Sequence, residues 1–264
     1  MNFIPVLKCF WNNAKIEFAF YPRIIFELDL IMPSVLITGA GKGFGRELLD
    51  VFHQQGWTVF PLIRHSSQAE ELQSSFGENC FPLIGDVTSE NVTLEVARVL
   101  QAHTVSLDVL VNNAGNIKKL RGLENTSEKD LEEHFQVHCI GVLRCVKAAL
   151  PFLRRSTAAT IINITSRWGS IGRTISQKGC GIYAYQIAKC AQNMLTACLD
   201  QDLREKGIRV LAVHPGRLKT GVAPPDADIE PREAARKLFS WLQTIDRNTV
   251  CGCHELISGG LIEW

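Results

Sequence analysis

From Ser34 onward, apolar runs of strand length alternate with amphipathic runs of helix length, and that alternation leaves the chain few folds to choose from. SVLIT is followed by a helix near 44–55, WTVFPLI by a helix from about Gln68, and CFPLI by one from about Ser89. LDVLV then precedes a long helix from about Ser127 to Leu153, TIINIT precedes the helix that carries Tyr185, RVLAV precedes a short helix from Pro231, and HELI comes last. Strands apolar on both sides need cover on both sides, and a helix between each pair of strands provides it. The pattern therefore predicts one α/β domain built on a doubly wound, seven-stranded parallel sheet. Its one long irregular stretch, SRWGSIGRTISQKGCGI at 166–182, falls between a strand and the Tyr185 helix, where such sheets form their ligand crevice.

The residues before this pattern, 1–31, are aromatic and irregular and read as a loosely ordered extension to a domain at 32–264. Lys15, Glu17, Glu27 and Asp29 break its apolar runs before they reach the length of a membrane span, so no integral membrane insertion is expected; a weak peripheral anchor and an unusual start site both fit the composition. Lys plus Arg total 28 against 27 acidic residues, so no global field draws in nucleic acid, and a small-molecule site is expected instead. Nine cysteines without a repeated spacing suit reduced thiols in a cytoplasmic protein. Cys251, Cys253 and His254 lack the second half of a zinc site, and no metal is expected.

Two local patterns carry chemistry. The first strand runs into TGAGKGFG at 38–45 and directly into a helix; glycines there let the backbone turn tightly and approach a pyrophosphate seated at the positive helix end, as in Rossmann folds. Tyr185 and Lys189 stand four apart, so on a helix the phenol and the ammonium emerge side by side. An adjacent ammonium is expected to lower the phenol's pKa and make it a ready proton donor. Tyr183 has Ile187 at the same spacing and is the weaker candidate.

Taken together, TGAGKGFG, NNAG at 112–115, Ser166 after INIT, YQIAK at 185–189 and HPGRLKT at 214–220 resemble, in order, the motifs of the short-chain dehydrogenase/reductase family. The placing of Ser166 19 residues before Tyr185 and the short tail ending GGLIEW resemble the C-factor and sniffer-type carbonyl reductase branch. The resemblance implies hydride transfer between a nicotinamide and a carbonyl or alcohol substrate, with Tyr185 as acid, Ser166 orienting the reacting oxygen and Lys189 holding the nicotinamide ribose. It implies cofactor contacts at Thr38, Gly39, Lys42, Gly43, Phe44, Gly45, Arg64, Asp86, Val87, Asn113, Ala114, Gly115, Tyr185, Lys189, Pro215, Gly216, Leu218 and Thr220, and assembly as a homodimer or homotetramer.

Where the family has a helical asparagine that holds a water in a proton relay, VHCIG places His138, which either takes over the relay or displaces it. Cofactor choice is read at the end of the second strand: LIRHSS offers Arg64 and no acid, and Lys42 adds a second cation, which favours NADP over NAD. A nucleotide-bound signalling or scaffold protein with little turnover is the alternative reading. A sugar-nucleotide epimerase also uses a Tyr-x-x-x-Lys pair, but the region after the PG motif is too short for its second domain.

Overall fold

Burial on both faces explains the sheet. In the computed structural model every residue of β1 (Ser34–Thr38), β5 (Thr160–Ile164) and β6 (Arg209–His214) is buried, as is β4 (Val109–Asn112), and β2 (Thr58–Ile63) is buried from its second residue on. With β3 (Leu83–Ile84) and β7 (Cys253–Glu255) they form seven parallel strands. The strand order is β3-β2-β1-β4-β5-β6-β7-β8, so the chain reverses direction of winding between β1 and β4. The eighth strand, β8 (Leu261–Ile262), is antiparallel to β7 and was not anticipated. Gly259 and Gly260 adopt positive φ and turn the chain back, which buries Ile262 against Ala212 and Cys253. At the other edge Pro82 has no N–H to give, and the CFPLI run pairs as a strand only over its last two residues.

The described residues are 32–118, 121–178, 181–220, 227, 229–246 and 248–264. The expectations for residues 1–31 lie outside them. Pro33–Trp264 forms one compact unit.

Helices α1 (Gly43–Gln54), α2 (Ser66–Phe76), α3 (Asn91–His103), α4 (Glu128–Phe135), α5 (Gly141–Leu153), α6 (Ile171–Ser176), α7 (Tyr183–Leu203) and α8 (Pro231–Leu242) fill the connections. Phe52, Leu48 and Leu49 of α1 and Leu238 of α8 share one core layer with Ile37 and Val111, while Val96 and Leu100 of α3 and Val146 and Phe152 of α5 share the other with Leu36 and Leu110. The stretch expected to be irregular after Ser166 is partly helical: the Ser170 hydroxyl accepts from the Arg173 N–H and starts α6.

The long helix expected over 127–153 exists as α4 and α5 joined by a π-helical segment, Gln136–Ile140. Ser127 and Asp130 start it with a reciprocal capping box. By length and hydropathy Glu128–Leu153 could cross a membrane, but 56% of its most apolar window is buried within the fold, which accounts for that apolarity.

Candidate active site

At the end of β1 the chain makes the glycine turn and enters α1 with no side chain capping it: Lys42 makes no cap hydrogen bond and the first turn has no acid. The first amides of a twelve-residue helix are thus left for a ligand, and the helix dipole favours an anionic one. Close approach fixes two of the glycines. A Cβ on Gly39, whose φ is +67°, would lie 2.9 Å from the Ala114 Cα, and one on Gly45 would lie 2.5 Å from the Asn113 amide nitrogen. The Thr38 hydroxyl accepts from the N–H groups of Asn113 (3.0 Å) and Ala114 (2.9 Å), and the Asn113 side chain donates to the Thr38 carbonyl at 2.9 Å. Asn113 therefore shapes the cradle from behind. A pyrophosphate fits the donors that remain.

The same turn is tied to the end of β2, because the N–H groups of Gly39 and Ala40 donate to the Leu62 carbonyl at 2.9 and 3.2 Å. Gln68 reaches back to the Gly41 carbonyl at 3.4 Å. These bonds bring exposed Lys42 and Arg64 to one corner. Arg64 also feels Asp86: burial pushes that carboxyl up, but hydrogen bonds from the Thr88 N–H and hydroxyl (2.8 and 2.7 Å) and the Arg64 charge outweigh it and hold the pKa below the ordinary value. Val87 packs on Gly141, where a Cβ would come within 2.9 Å of it. Arg144 of α5 donates to the carbonyls of Val87 (3.4 Å) and Thr88 (2.8 Å). That clamp escaped the sequence reading because Arg144 lies 57 residues from Val87.

Tyr185 and Lys189 lie on α7 one turn apart, with the Lys189 Nζ 5.7 Å from the centre of the Tyr185 ring. Ser166, at the end of β5, hydrogen-bonds the Tyr185 hydroxyl. Tyr183, by contrast, is exposed and stands apart. The expected electrostatics need correction. Lys189 is buried and donates away from the phenol, to the Ile164 carbonyl at 2.7 Å and to the Gln192 Oε1 at 2.9 Å. Burial drives its pKa down to about 7. Burial also raises the Tyr185 pKa, and the hydrogen bond with Ser166 only partly offsets this. Gln192, three residues after Lys189 and therefore on the same helix face, is a partner that the spacing could have revealed.

His138 lies within the π-helical segment and is 1% exposed. Its Nε2–H donates to the Asn116 carbonyl at 3.1 Å, its ring stands edge-on to Tyr185 at 5.7 Å, and its Nδ1 has no hydrogen-bond partner among the described residues. Burial, then the Lys189 charge, hold its pKa well below the ordinary value. His134 accompanies it 6.2 Å away and accepts from the Lys118 N–H at 3.3 Å. Gly115 sits directly against His138, 3.1 Å from a would-be Cβ to the ring Cε1. After β6, Pro215 leads to Gly216 at φ +97°, Leu218 bridges to Ile229, and the Thr220 N–H donates to the Leu218 carbonyl at 2.9 Å.

The glycine cradle, the NNAG loop, Ser166, Tyr185, Lys189 and the PG turn thus all fall at the carboxyl ends of the central strands, next to the winding reversal. A family model described as short chain dehydrogenase matches residues 33–230. The chain belongs to that family. It is 33% identical over 136 residues to the C-signal protein of Myxococcus xanthus, covering 52% of this chain and 80% of that one. It superposes on the NADPH-bound carbonyl reductase from chicken fatty liver with a TM-score of 0.80 at 27% identity, covering 88% of this chain and 99% of that one. The carbonyl reductase Sniffer of D. melanogaster gives the same TM-score of 0.80 at 25% identity, over 88% and 100% of the two chains. The likeness to the C-factor and sniffer-type branch read from the motif spacing is borne out. The chain is an oxidoreductase of the nicotinamide-dependent kind, and the scaffold reading is not favoured.

Proposed function

We propose that residues 32–264 form a cytoplasmic, NADP-dependent carbonyl reductase domain acting on a small molecule. The observation that carries this is the meeting of Ser166, Tyr185 and Lys189 beside an uncapped helix start. Preference for NADP over NAD rests on Lys42 and Arg64 at one corner, with no acid at the end of β2 to repel a 2′-phosphate. The relatives' names, two of which are carbonyl reductases and one NADPH-bound, support it.

The α1 amides would hold the pyrophosphate, Arg64 and Lys42 the 2′-phosphate, and Asp86 with Val87 the adenine end. When bound, the nicotinamide supplies the hydride. The chain's own residues then handle the oxygen. Ser166 hydrogen-bonds the substrate carbonyl and fixes it against the Tyr185 hydroxyl, which gives up its proton as negative charge develops on that oxygen. A phenol with a raised pKa stays protonated at neutral pH and so remains a competent acid. Lys189 has three N–H groups; two are committed to Ile164 and Gln192, and the third is left for the nicotinamide ribose. Apolar Ile187 and Met194 on the outward side of α7 support a homodimer or homotetramer.

Tyr185→Phe tests the assignment. It keeps the ring and its packing but removes the proton, so kcat for NADPH-dependent carbonyl reduction should fall about a hundred- to ten-thousand-fold while NADPH affinity changes little. Tyr183→Phe is the control and should be nearly silent. Retained turnover in Tyr185→Phe would remove the phenol from the mechanism.

A further inference from the structure

Along its inward side α7 buries a polar stripe: Lys189, Gln192, Asn193, Thr196 and Asp200 follow one another at helical spacing, and all are buried. Most of these side chains have partners that account for them. Asn193 accepts from the Thr165 hydroxyl at 2.6 Å and donates to the Gly169 carbonyl at 3.2 Å. The Thr196 hydroxyl donates to the Gln192 backbone carbonyl at 2.8 Å and accepts from the Asn163 amide at 2.9 Å. Asp200 accepts from the Val210 N–H at 3.1 Å. Gln192 is different. Its Oε1 accepts from the Lys189 ammonium at 2.9 Å, while its Nε2 has no hydrogen-bond partner among the described residues. At 1% exposure the unused half of that carboxamide carries a desolvation cost that an apolar side chain would avoid. Packing alone does not explain a glutamine here; the contact with Lys189 does. The acceptor is also held in place, because the Gln192 turn is tied through Thr196 to Asn163 of β5, which in turn accepts from Asn112 of β4 at 2.8 Å.

The neutrality of that acceptor matters as much as its place. The groups that act on the Lys189 charge are the thiols of Cys139, in the π-helical segment, and Cys253, in β7. Burial raises them to about 11 and about 12, so neither is ionised at neutral pH. Neutral His138 feels the same ammonium, and the Tyr185 ring lies 5.7 Å from the Nζ, with His134 of α4 edge-on to it. At the end of β6, His214 lies 4.0 Å from Glu255. The turn Arg167–Gly169 meets the Lys189 backbone through Gly169, where a Cβ would come within 2.8 Å of the Lys189 carbonyl carbon. None of the groups acting on Lys189 is a carboxylate. Among the described residues the ammonium is therefore buried against the Ile164 carbonyl and the Gln192 Oε1 with no counter-ion.

We propose that Gln192 is a positioning residue for the reduction: its oxygen turns the Lys189 ammonium toward β5 and leaves one N–H for the nicotinamide ribose, and its neutral carboxamide stands where a counter-ion would otherwise be. This rests on the reductase reading above and adds to it a residue that acts only through Lys189. A neutral acceptor directs the ammonium yet leaves it free to lose its proton near pH 7, whereas a carboxylate at the same place would lock the charge on.

Two variants of the full chain separate direction from charge. Gln192→Met keeps the volume but offers no comparable acceptor, and Gln192→Glu keeps the acceptor and supplies the missing counter-ion. Each is compared with the wild type in NADPH titration, in the pH profile of kcat/KM over a panel of aldehydes and ketones led by 4-nitrobenzaldehyde, and in urea unfolding at pH 6.5 and 9. Gln192→Met should weaken NADPH binding about three- to tenfold, the worth of one hydrogen bond, whereas Gln192→Glu should stay within about twofold of the wild type. The inflection that Lys189 gives the profile should move to lower pH in Gln192→Met and to higher pH in Gln192→Glu. Stability should rise from pH 6.5 to 9 in the wild type but stay level in Gln192→Glu, because a Lys–Glu pair keeps one proton in both the folded and the unfolded chain across that range. Unchanged NADPH binding in Gln192→Met, equal losses in both variants, or inflections that move the same way or not at all overturn the proposal. If the wild type reduces nothing in the panel, the reductase reading fails instead; NADPH affinity and the unfolding comparison then still decide Gln192, and a Gln192→Glu chain whose stability climbs like that of the wild type overturns its role too.

Discussion

Replacing Lys189 by Met tests whether the fold holds a buried ammonium under stress. The Lys189 pKa stands near 7 in the folded chain against an ordinary value of 10.5, because burial penalises the charged form. Between those two values the unfolded chain binds a proton that the folded chain does not, so folding stability rises with pH across this window. Below 7 both states are charged and the full penalty applies. Each pH unit above 7 returns about 1.36 kcal/mol, so the step from pH 6.5 to 9 should return about 2–3 kcal/mol. Met fills a similar volume and has no charge to titrate, although it leaves the Ile164 carbonyl and Gln192 Oε1 without their donor. That loss is the same at both pH values and cancels. Urea unfolding of the wild type and Lys189→Met at pH 6.5 and 9 should therefore show the wild type gaining about 2–3 kcal/mol relative to the variant as pH rises. A stability difference constant to within about 0.5 kcal/mol would refute the buried-charge argument.

Arg64→Asp should replace attraction by repulsion at the 2′-phosphate and shift binding from NADPH toward NADH by more than tenfold, the effect of losing one charged hydrogen bond being about 1.5–3 kcal/mol; competitive titration of the two cofactors measures it, and a wild type that prefers NADH would sink the reading. His138→Phe should cost about 1–3 kcal/mol of stability in urea, since the buried Asn116 carbonyl loses its donor. The same histidine stays neutral in the fold but takes a proton when unfolded, so the wild type should lose stability as pH falls below 6.5 more steeply than His138→Phe.

Alternation of strand and helix, the glycine turn and the Tyr185–Lys189 spacing were readable because each repeats or sits within one element. What the sequence hid depends on contacts across elements or on small changes of backbone. Lys189 was placed on the right face, but its direction depends on Ile164 of β5 and on Gln192, and only the fold shows that it turns from the phenol. The π-helical segment adds one residue to a turn without altering the apolar pattern of 127–153, so the helix reads as unbroken. Ser170 as a cap and the Gly259–Gly260 turn were both visible as residue types; α6 and β8 were missed because each is only six residues or fewer.

The exchange of the family's asparagine for His138 now has a physical account. A carboxamide carries N–H donors on one arm and an oxygen acceptor on the other, and a neutral imidazole likewise offers a donor on one nitrogen and an acceptor on the other. A carbonyl can only accept, so the contact with Asn116 places the hydrogen on Nε2 and leaves Nδ1 as the acceptor. A protonated ring would offer two donors and no acceptor, and it would face the charge of Lys189; burial and that charge both act against it. Keeping the ring neutral thus keeps it equivalent to the amide it replaces, and the wider π-helical turn supplies backbone geometry different from a regular helix at the point where the larger side chain enters. His138→Asn should accordingly preserve the Asn116 hydrogen bond and leave the pH profile of turnover unchanged through 6–7, whereas a lost inflection in that range would mean that the imidazole itself titrates during the reaction.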